Sequence, residues 1–219
     1  NSTCNDASAS KCSGNTCGAC QVKDDCSHIT GKTACDAGVC KQCSKDDDSA
    51  CGANSCDLAT NTCTNTPKGS VGECGACVAD SECDATTGYR CINLSFGGAP
   101  RGGFCLQQAD EVGGGVCPLP YQVIVSSTSV GGAVSEPYCG INQTLVTCDA
   151  VLDMLSNKNC NNDDVCGVMS VNDGKCLTFP GLGEKCTVEC SDNTQCASPR
   201  VCRTVSGQPN NKKYCAPML

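Results

Sequence analysis

Residues Cys77 to Cys83 read CVADSEC, two half-cystines separated by five residues that include two acids. The same frame recurs as CQVKDDC from Cys20 to Cys26, CNNDDVC from Cys160 to Cys166 and CSDNTQC from Cys190 to Cys196. CSKDDDSAC, from Cys43 to Cys51, is a copy two residues longer. An internal repeat of this kind states how a chain is cross-linked. It brings no nucleophile, general base or phosphate cradle, so it points to a scaffold and leaves the activity unnamed.

Composition agrees. The chain has 27 cysteines in 219 residues, no Trp, three Phe and four Tyr. That cysteine content marks a disulfide scaffold. Burying a large apolar side chain gives roughly 1.5–3 kcal/mol, against roughly 1–2 kcal/mol of backbone entropy for each ordered residue, so so few large side chains leave folding to cross-links. Each disulfide adds about 2–4 kcal/mol, chiefly by restricting the unfolded chain. Such bonds persist in oxidising surroundings, and an extracellular or cell-surface location is expected. The first residue, Asn1, is read as the start of a mature product whose signal peptide has been removed. The longest strongly apolar run, Val123-Ile124-Val125, is far short of the ~20 residues of a membrane span. A net charge of -8 argues against nucleic acid, whose phosphates call for clustered Lys and Arg.

The expected fold class is a small disulfide-rich array of tandem cysteine modules with little regular secondary structure, a central β-hairpin and one short helix. Residues 1–105 form four small modules, each closing on a Cys-x2-Cys that opens the next, as in CGAC at Cys17–Cys20 and Cys74–Cys77 and CKQC at Cys40–Cys43. Their Asn, Asp, Ser, Thr and Gly make turns, with short hairpins expected at Thr60–Cys63 and Thr87–Cys91. Residues 106–159 form a central insert. Tyr121 to Val130, YQVIVSSTSV, reads as a strand, Gly131-Gly132 as a turn and Ala133 to Tyr138 as a return strand. Leu145, Cys148, Val151, Leu152 and Leu155 recur at helical spacing, with Thr147 as cap, Asp149 at the positive end and Ser156-Asn157 as the stop. Residues 160–219 return to the cysteine-rich style and end on an apolar tail, Ala216 to Leu219, expected to fray.

CGAC followed by CVADSEC, a turn such as DATTGYRC and a closing cysteine resembles the cysteine-rich repeats found in tandem in large surface and secreted proteins of myxobacteria. The resemblance covers about 1–105 well and 160–215 loosely, and 106–159 not at all. Small secreted modules of the dickkopf or colipase kind share similar spacing. The resemblance implies an extracellular location and a structural or interaction role without catalytic residues.

Several chemistries can be weighed. Paired Cys-x2-Cys suits zinc, but one His (His28), a large surplus of cysteines and an oxidising compartment speak for disulfides. A thioredoxin-like role needs a βαβ frame. Asp24-Asp25 and Asp46-Asp47-Asp48 lack the residue order of an EF-hand and read as solvated turns. Phe96 to Phe104, FGGAPRGGF, lacks the strand-to-helix setting of a phosphate site and reads as an exposed hairpin and contact loop. A catalytic triad would rest on His28, two residues from Cys26 with no pocket implied. No catalytic residue, cofactor or metal is expected. Asn1, Asn93 and Asn142 open N-glycosylation sequons. Because 27 is odd, at least one cysteine is a free thiol or bonds another chain; Cys117, Cys139 and Cys148, least constrained by the repeat, are the candidates.

The expected function is that of an extracellular structural or interaction protein, a subunit of a cell-surface appendage, filament or matrix that self-associates or binds other surface proteins. Tyr121, Val123 and Val125 mark an edge for strand addition. The alternative is a monomeric secreted binding module, an inhibitor or receptor ligand acting through Phe96 to Phe104 or the central insert.

Overall fold

Every frame folds in one way. In the computed structural model, which describes residues 4–13, 16–84, 86, 88–109, 117–132, 136–141 and 146–218, with the side chains of 12 and 123–126 outside that description, each frame holds a 3-10 turn. These turns are Lys23–Cys26, Ser49–Cys51, Asp80–Glu82, Asp163–Val165 and Asn193–Gln195. An antiparallel hairpin follows each, carrying two cysteines directly opposite one another. The five hairpins are β3 (Ala34–Asp36) with β4 (Val39–Lys41), β5 (Asn54–Asp57) with β6 (Thr62–Pro67), β8 (Tyr89–Phe96) with β9 (Ala99–Gln108), β12 (Gly174–Phe179) with β13 (Gly183–Cys190), and β14 (Arg200–Arg203) with β15 (Lys213–Pro217). The facing pairs are Cys35 and Cys40, Cys56 and Cys63, Cys91 and Cys105, Cys176 and Cys186, and Cys202 and Cys215.

The bonds obey one rule: of four cysteines in chain order, the first joins the third and the second joins the fourth. Cys20–Cys35 and Cys26–Cys40 close the first of these modules, Cys43–Cys56 and Cys51–Cys63 the second, and Cys77–Cys91 and Cys83–Cys105 the third. Cys160–Cys176 with Cys166–Cys186, and Cys190–Cys202 with Cys196–Cys215, close the last two. The expected array of tandem disulfide modules is therefore present. Cys-x2-Cys at Cys17–Cys20 and Cys40–Cys43 is the joint where one module's last cysteine meets the next module's first. An earlier hairpin, β1 (Lys11–Ser13) with β2 (Thr16–Gly18), sets Cys12 opposite Cys17 and is closed by Cys4–Cys17.

The polar residues of the frames are spent on backbone donors, which is why the frames are acidic. At the fourth frame position Asp80, Asp163 and Asn193 accept the N–H of the first hairpin cysteine, Cys91 at 3.0 Å, Cys176 at 2.8 Å and Cys202 at 2.8 Å. At the sixth, Asp25, Glu82 and Gln195 reach back to the N–H of Gln21, Val78 and Ser191, each at 2.7 Å. A 3-10 turn too short to satisfy its own first donors thus receives side-chain acceptors.

The modules before Cys74 pack in small clusters around their own sulfurs, one around Cys20, Cys26 and Cys40 and another around Cys43, Cys51 and Cys56. From Cys74 onward the chain builds a larger core, beside smaller clusters around Cys77, Cys83, Cys91 and Cys105 and around Leu177, Phe179, Tyr214 and Ala216. Ile92, Leu94, Phe104 and Leu106 meet Tyr121, Tyr138 and Ile141, the helix residues Val151 and Met154, and Val188 of β13. The boundary expected between residues 105 and 106 falls inside β9, so the central segment shares this core.

More strand forms than the turn-rich composition predicts. β10 (Gln122–Ser127), β11 (Glu136–Gly140), β9 and β7 (Ala76–Cys77) lie in that order, with β8 on the other side of β9. β12, β13, β15 and β14 form a second sheet, because the last two hairpins join along β13 and β15. The helix α1 spans Cys148–Leu155 with Thr147 as its N-cap, accepting from the Ala150 N–H, and Ser156 as its C-cap. Turns at residues 57–62 carry the expected β5–β6 hairpin, with Asn61 at φ 54°. The hairpin expected at Thr87–Cys91 instead turns at Gly97 and Gly98, both at positive φ; Thr87 lies outside the described residues. Nor does the end fray through Ala216: β15 pairs Ala216 with Val201 and buries it.

Candidate functional site

β10 stands at the rim of its sheet. It pairs with β11 through Gln122 and Gly140, Val123 and Cys139, and Ile124 and Tyr138, then bulges between Ile124 and Ser127. No other strand pairs with it among the described residues. Beyond the bulge the chain crosses to β8, where the Val130 N–H bonds the Cys91 carbonyl at 2.8 Å and Ser129 bridges Ile92. Asp80 fastens this crossing, accepting from the Ser129 hydroxyl at 2.6 Å and the Gly131 N–H at 3.2 Å. At the other end Cys117–Cys139 ties the approach to β10 onto β11.

Of the three residues expected to form the addition edge, Tyr121 belongs to the interior. It precedes β10, its side chain is buried in the main core, and its phenol is raised above the ordinary range by burial, with the Glu73 charge and then Tyr89 adding to the shift. Burial pushes the neighbouring Glu73 carboxyl up to about 8, partly offset by the polar groups of Gln107 and Tyr89 nearby. Val123 and Val125 lie on β10 itself. Their side chains fall outside the described residues, so the edge is defined by backbone.

The candidate intermolecular cysteines are all engaged within the chain, which corrects that expectation. Cys117 bonds Cys139 with Cα atoms 5.4 Å apart, and Cys148 bonds Cys74 at 5.1 Å. Both separations suit a disulfide. The Cys74–Cys148 bond was hidden in the sequence because CGAC at Cys74–Cys77 is spelled like CGAC at Cys17–Cys20. Here its first cysteine leaves the repeat and ties α1 to the third module. Thirteen bonds join twenty-six cysteines, and the side chain of Cys12 lies outside the described residues. Five groups of three cysteine sulfurs lie within 4.8 Å of one another; all belong to stacked disulfides, which have no thiolate to offer a metal.

Asn93 is exposed on β8, opposite Gly103. Asn1 and Asn142 fall outside the described residues. Within the acidic runs Asp47 bonds Lys23 at 2.8 Å and Asp48 bonds Lys68 at 2.7 Å, and Asp25 serves its own frame. His28 sets its Nε2 2.6 Å from the Cys4 carbonyl oxygen, a staple between the first hairpin and the following module. No helix among the described residues is long and apolar enough to cross a membrane.

The Phe96 to Phe104 hairpin borders a cavity of about 190 Å³ that sequence reasoning did not find. Leu94, Phe96, Phe104, Ile141 and Val168 line it, with Arg101 and Asp149 among its polar residues. Its signal was present only in part: the loop stood out by its aromatics, but the facing wall comes from residues far along the chain.

Comparison with protein-family models, curated proteins and solved structures returned no match.

Proposed function

We propose that this is an extracellular structural protein that associates through an exposed strand edge, as a subunit of a surface appendage, filament or matrix. The disulfide density is compatible with an extracellular protein. The observation that carries the finer reading is β10, held at both ends by Cys117–Cys139 and by Asp80 while its outer side pairs with no other strand among the described residues. A fixed edge of this kind is a ready acceptor for a strand from a neighbour, and a serial array supplies an elongated body on which to repeat the contact. Partners are further copies of the chain or other surface proteins, and Asn93 is an accessible position for a glycan. No catalytic step is part of this reading.

Light scattering of the unreduced, natively secreted protein tests it. Many protomers are expected, with mass falling in Val125→Pro. Val125 lies in the bulge and forms no register pair with β11, so the proline removes an edge donor while sparing the β10–β11 pairs. A monomer at high concentration would sink the proposal.

A second reading has its own observation. The 190 Å³ cavity beside Phe96 and Arg101 suits a monomeric module that grips one apolar side chain of a target. Capture of a single stoichiometric target by a monomer, lost in Phe96→Ala, would favour it.

A further inference from the structure

We infer that the cavity between the hairpin of residues 96–104 and the start of α1 binds a small apolar monocarboxylate. Arg101 holds the carboxylate, and Leu94, Phe96, Phe104, Ile141 and Val168 surround the hydrocarbon body. The inference rests on the second reading of the protein, in which this cavity is a place of binding, and is independent of the strand-edge proposal.

Arg101 is the side chain that points to a ligand. β8 and β9 pair Leu94 with Gly102 and Ser95 with Pro100, so Arg101 is the extra residue of a bulge. A bulge re-aims a side chain and is frequent next to active sites, and Arg101 lines the same cavity as Leu94 and Phe104. The other three arginines each hold a main-chain carbonyl: Arg90 that of Tyr89, Arg200 that of Cys215 and Arg203 that of Pro217. The Nε of Arg101, by contrast, is closed off from solvent and has no hydrogen-bond partner among the described residues. Nor does its guanidinium enter an ion pair among them. A buried N–H without an acceptor is unfavourable and rare in a folded chain. A carboxylate is the acceptor whose two oxygens match the guanidinium fork.

The rest of the lining sets the remainder of the ligand. An apolar cavity of about 150 Å³ takes a benzene ring, so about 190 Å³ holds one ring or a branched chain of similar size. Leu94, Phe104 and Ile141 are buried, which gives the hydrocarbon body a floor closed to solvent. Thr147, Cys148 and Asp149 form another wall. They are the cap and first residues of α1, whose positive end favours an anion. Asp149 is exposed and carries the opposing charge. One guanidinium and a helix start against one carboxylate leave room for a single negative charge; the second charge of a dianion would meet Asp149.

The test uses the full chain with its native disulfides, isotope-labelled for amide NMR and titrated at neutral pH. The probes are isocaproate, its neutral amide isocaproamide, acetate, and an acetylated dipeptide ending in leucine. Isocaproate is expected to give saturable shifts at the amides of Leu94, Gly102, Phe104 and Cys148, and to bind roughly tenfold or more tightly than isocaproamide or acetate. Arg101→Gln should erase the advantage of the acid over the amide while the amide signals of β3 and β4 stay in place. Val168→Trp, which fills the cavity from a half-buried position, should weaken both. The dipeptide separates two sources of such a carboxylate: binding tighter than isocaproate assigns the ligand to the end of a partner's chain, and weaker binding assigns it to a free acid. Equal affinity for the acid and its amide would overturn the inference and leave the apolar-grip reading standing. Acetate binding as tightly as isocaproate, or Arg101→Gln keeping the preference for the acid, would overturn it too. Absence of saturable binding by every probe would overturn the inference together with the reading of the cavity as a place of binding.

Discussion

Arg200 donates from Nη2 to the main-chain carbonyl of Met154 at 2.9 Å, so a residue of the last module closes the C-terminal end of the only α-helix among the described residues. The same guanidinium bonds the Cys215 carbonyl at 2.9 Å and the Asn157 side chain. A cation is favoured at a helix C-terminus, where carbonyls lack partners, and here it is buried. Arg200→Met keeps much of the packing but strands buried acceptors. It is expected to cost about 2–3 kcal/mol in chemical unfolding, with Arg200→Lys recovering only part because one ammonium cannot fork to the same three acceptors.

Asp80 is predicted to control the order of the edge strand. Its carboxylate serves the Cys91 N–H, the Ser129 hydroxyl and the Gly131 N–H together. Asp80→Ala should speed amide exchange at Ser129, Val130 and Gly131 by tenfold or more, about 1.4 kcal/mol of local opening. The N–H groups of β3 and β4, in the first complete module, should exchange unchanged. Equal acceleration in both places would show that Asp80 acts on global stability alone.

The Glu73 carboxyl makes stability depend on pH. Its value of about 8 in the folded protein lies above the ordinary 4.5, so folding favours the protonated acid. The resulting stabilisation is complete below about pH 4.5, declines as pH rises toward 8 and is gone above it. Its size is at most on the order of 5 kcal/mol. Denaturant titrations from pH 4 to 9 should show this fall, and Glu73→Gln should remove it. A slope unchanged in that variant would assign the dependence elsewhere.

Cys74–Cys148 spans 74 residues, the largest separation among the thirteen bonds, whereas Cys51–Cys63 spans 12. By loop entropy the first is worth about 4 kcal/mol and the second about 3. Replacing both Cys74 and Cys148 by Ser should also release the helix from the third module, lowering the midpoint of the main core while the modules before Cys74 remain protected. The paired change at Cys51 and Cys63 should leave the main core intact. Calorimetry of the two variants distinguishes these outcomes.

The frames, the module joints and the helix were legible in the sequence because each depends on neighbours: half-cystines at fixed spacing, and a cap followed by apolar residues at helical period. Thr147 and Ser156 stand where the spacing placed them. The pairing of β13 with β15, the burial of Arg200 and the departure of Cys74 from the repeat were not legible. Each depends on which surfaces meet after the modules form, and identical spellings such as CGAC meet different surroundings. Tyr121 illustrates the same limit. A tyrosine leading into a Val-rich strand suits an edge contact as well as a core, and only the approach of Glu73 and Tyr89 decides between them.

The paired bonds of each module also govern how the chain carries tension. A pull from Cys20 to Cys40 need not travel the intervening backbone, because it can cross the Cys20–Cys35 bridge and leave only the five peptide steps from Cys35 to Cys40 under load. The rest of the loop is shielded, and its length stays in reserve until a sulfur–sulfur bond breaks. Linked end to end, such modules make a tether with little slack, whose give is concentrated in the short joints between them and in residues 64–73 and 149–159, which no described disulfide spans.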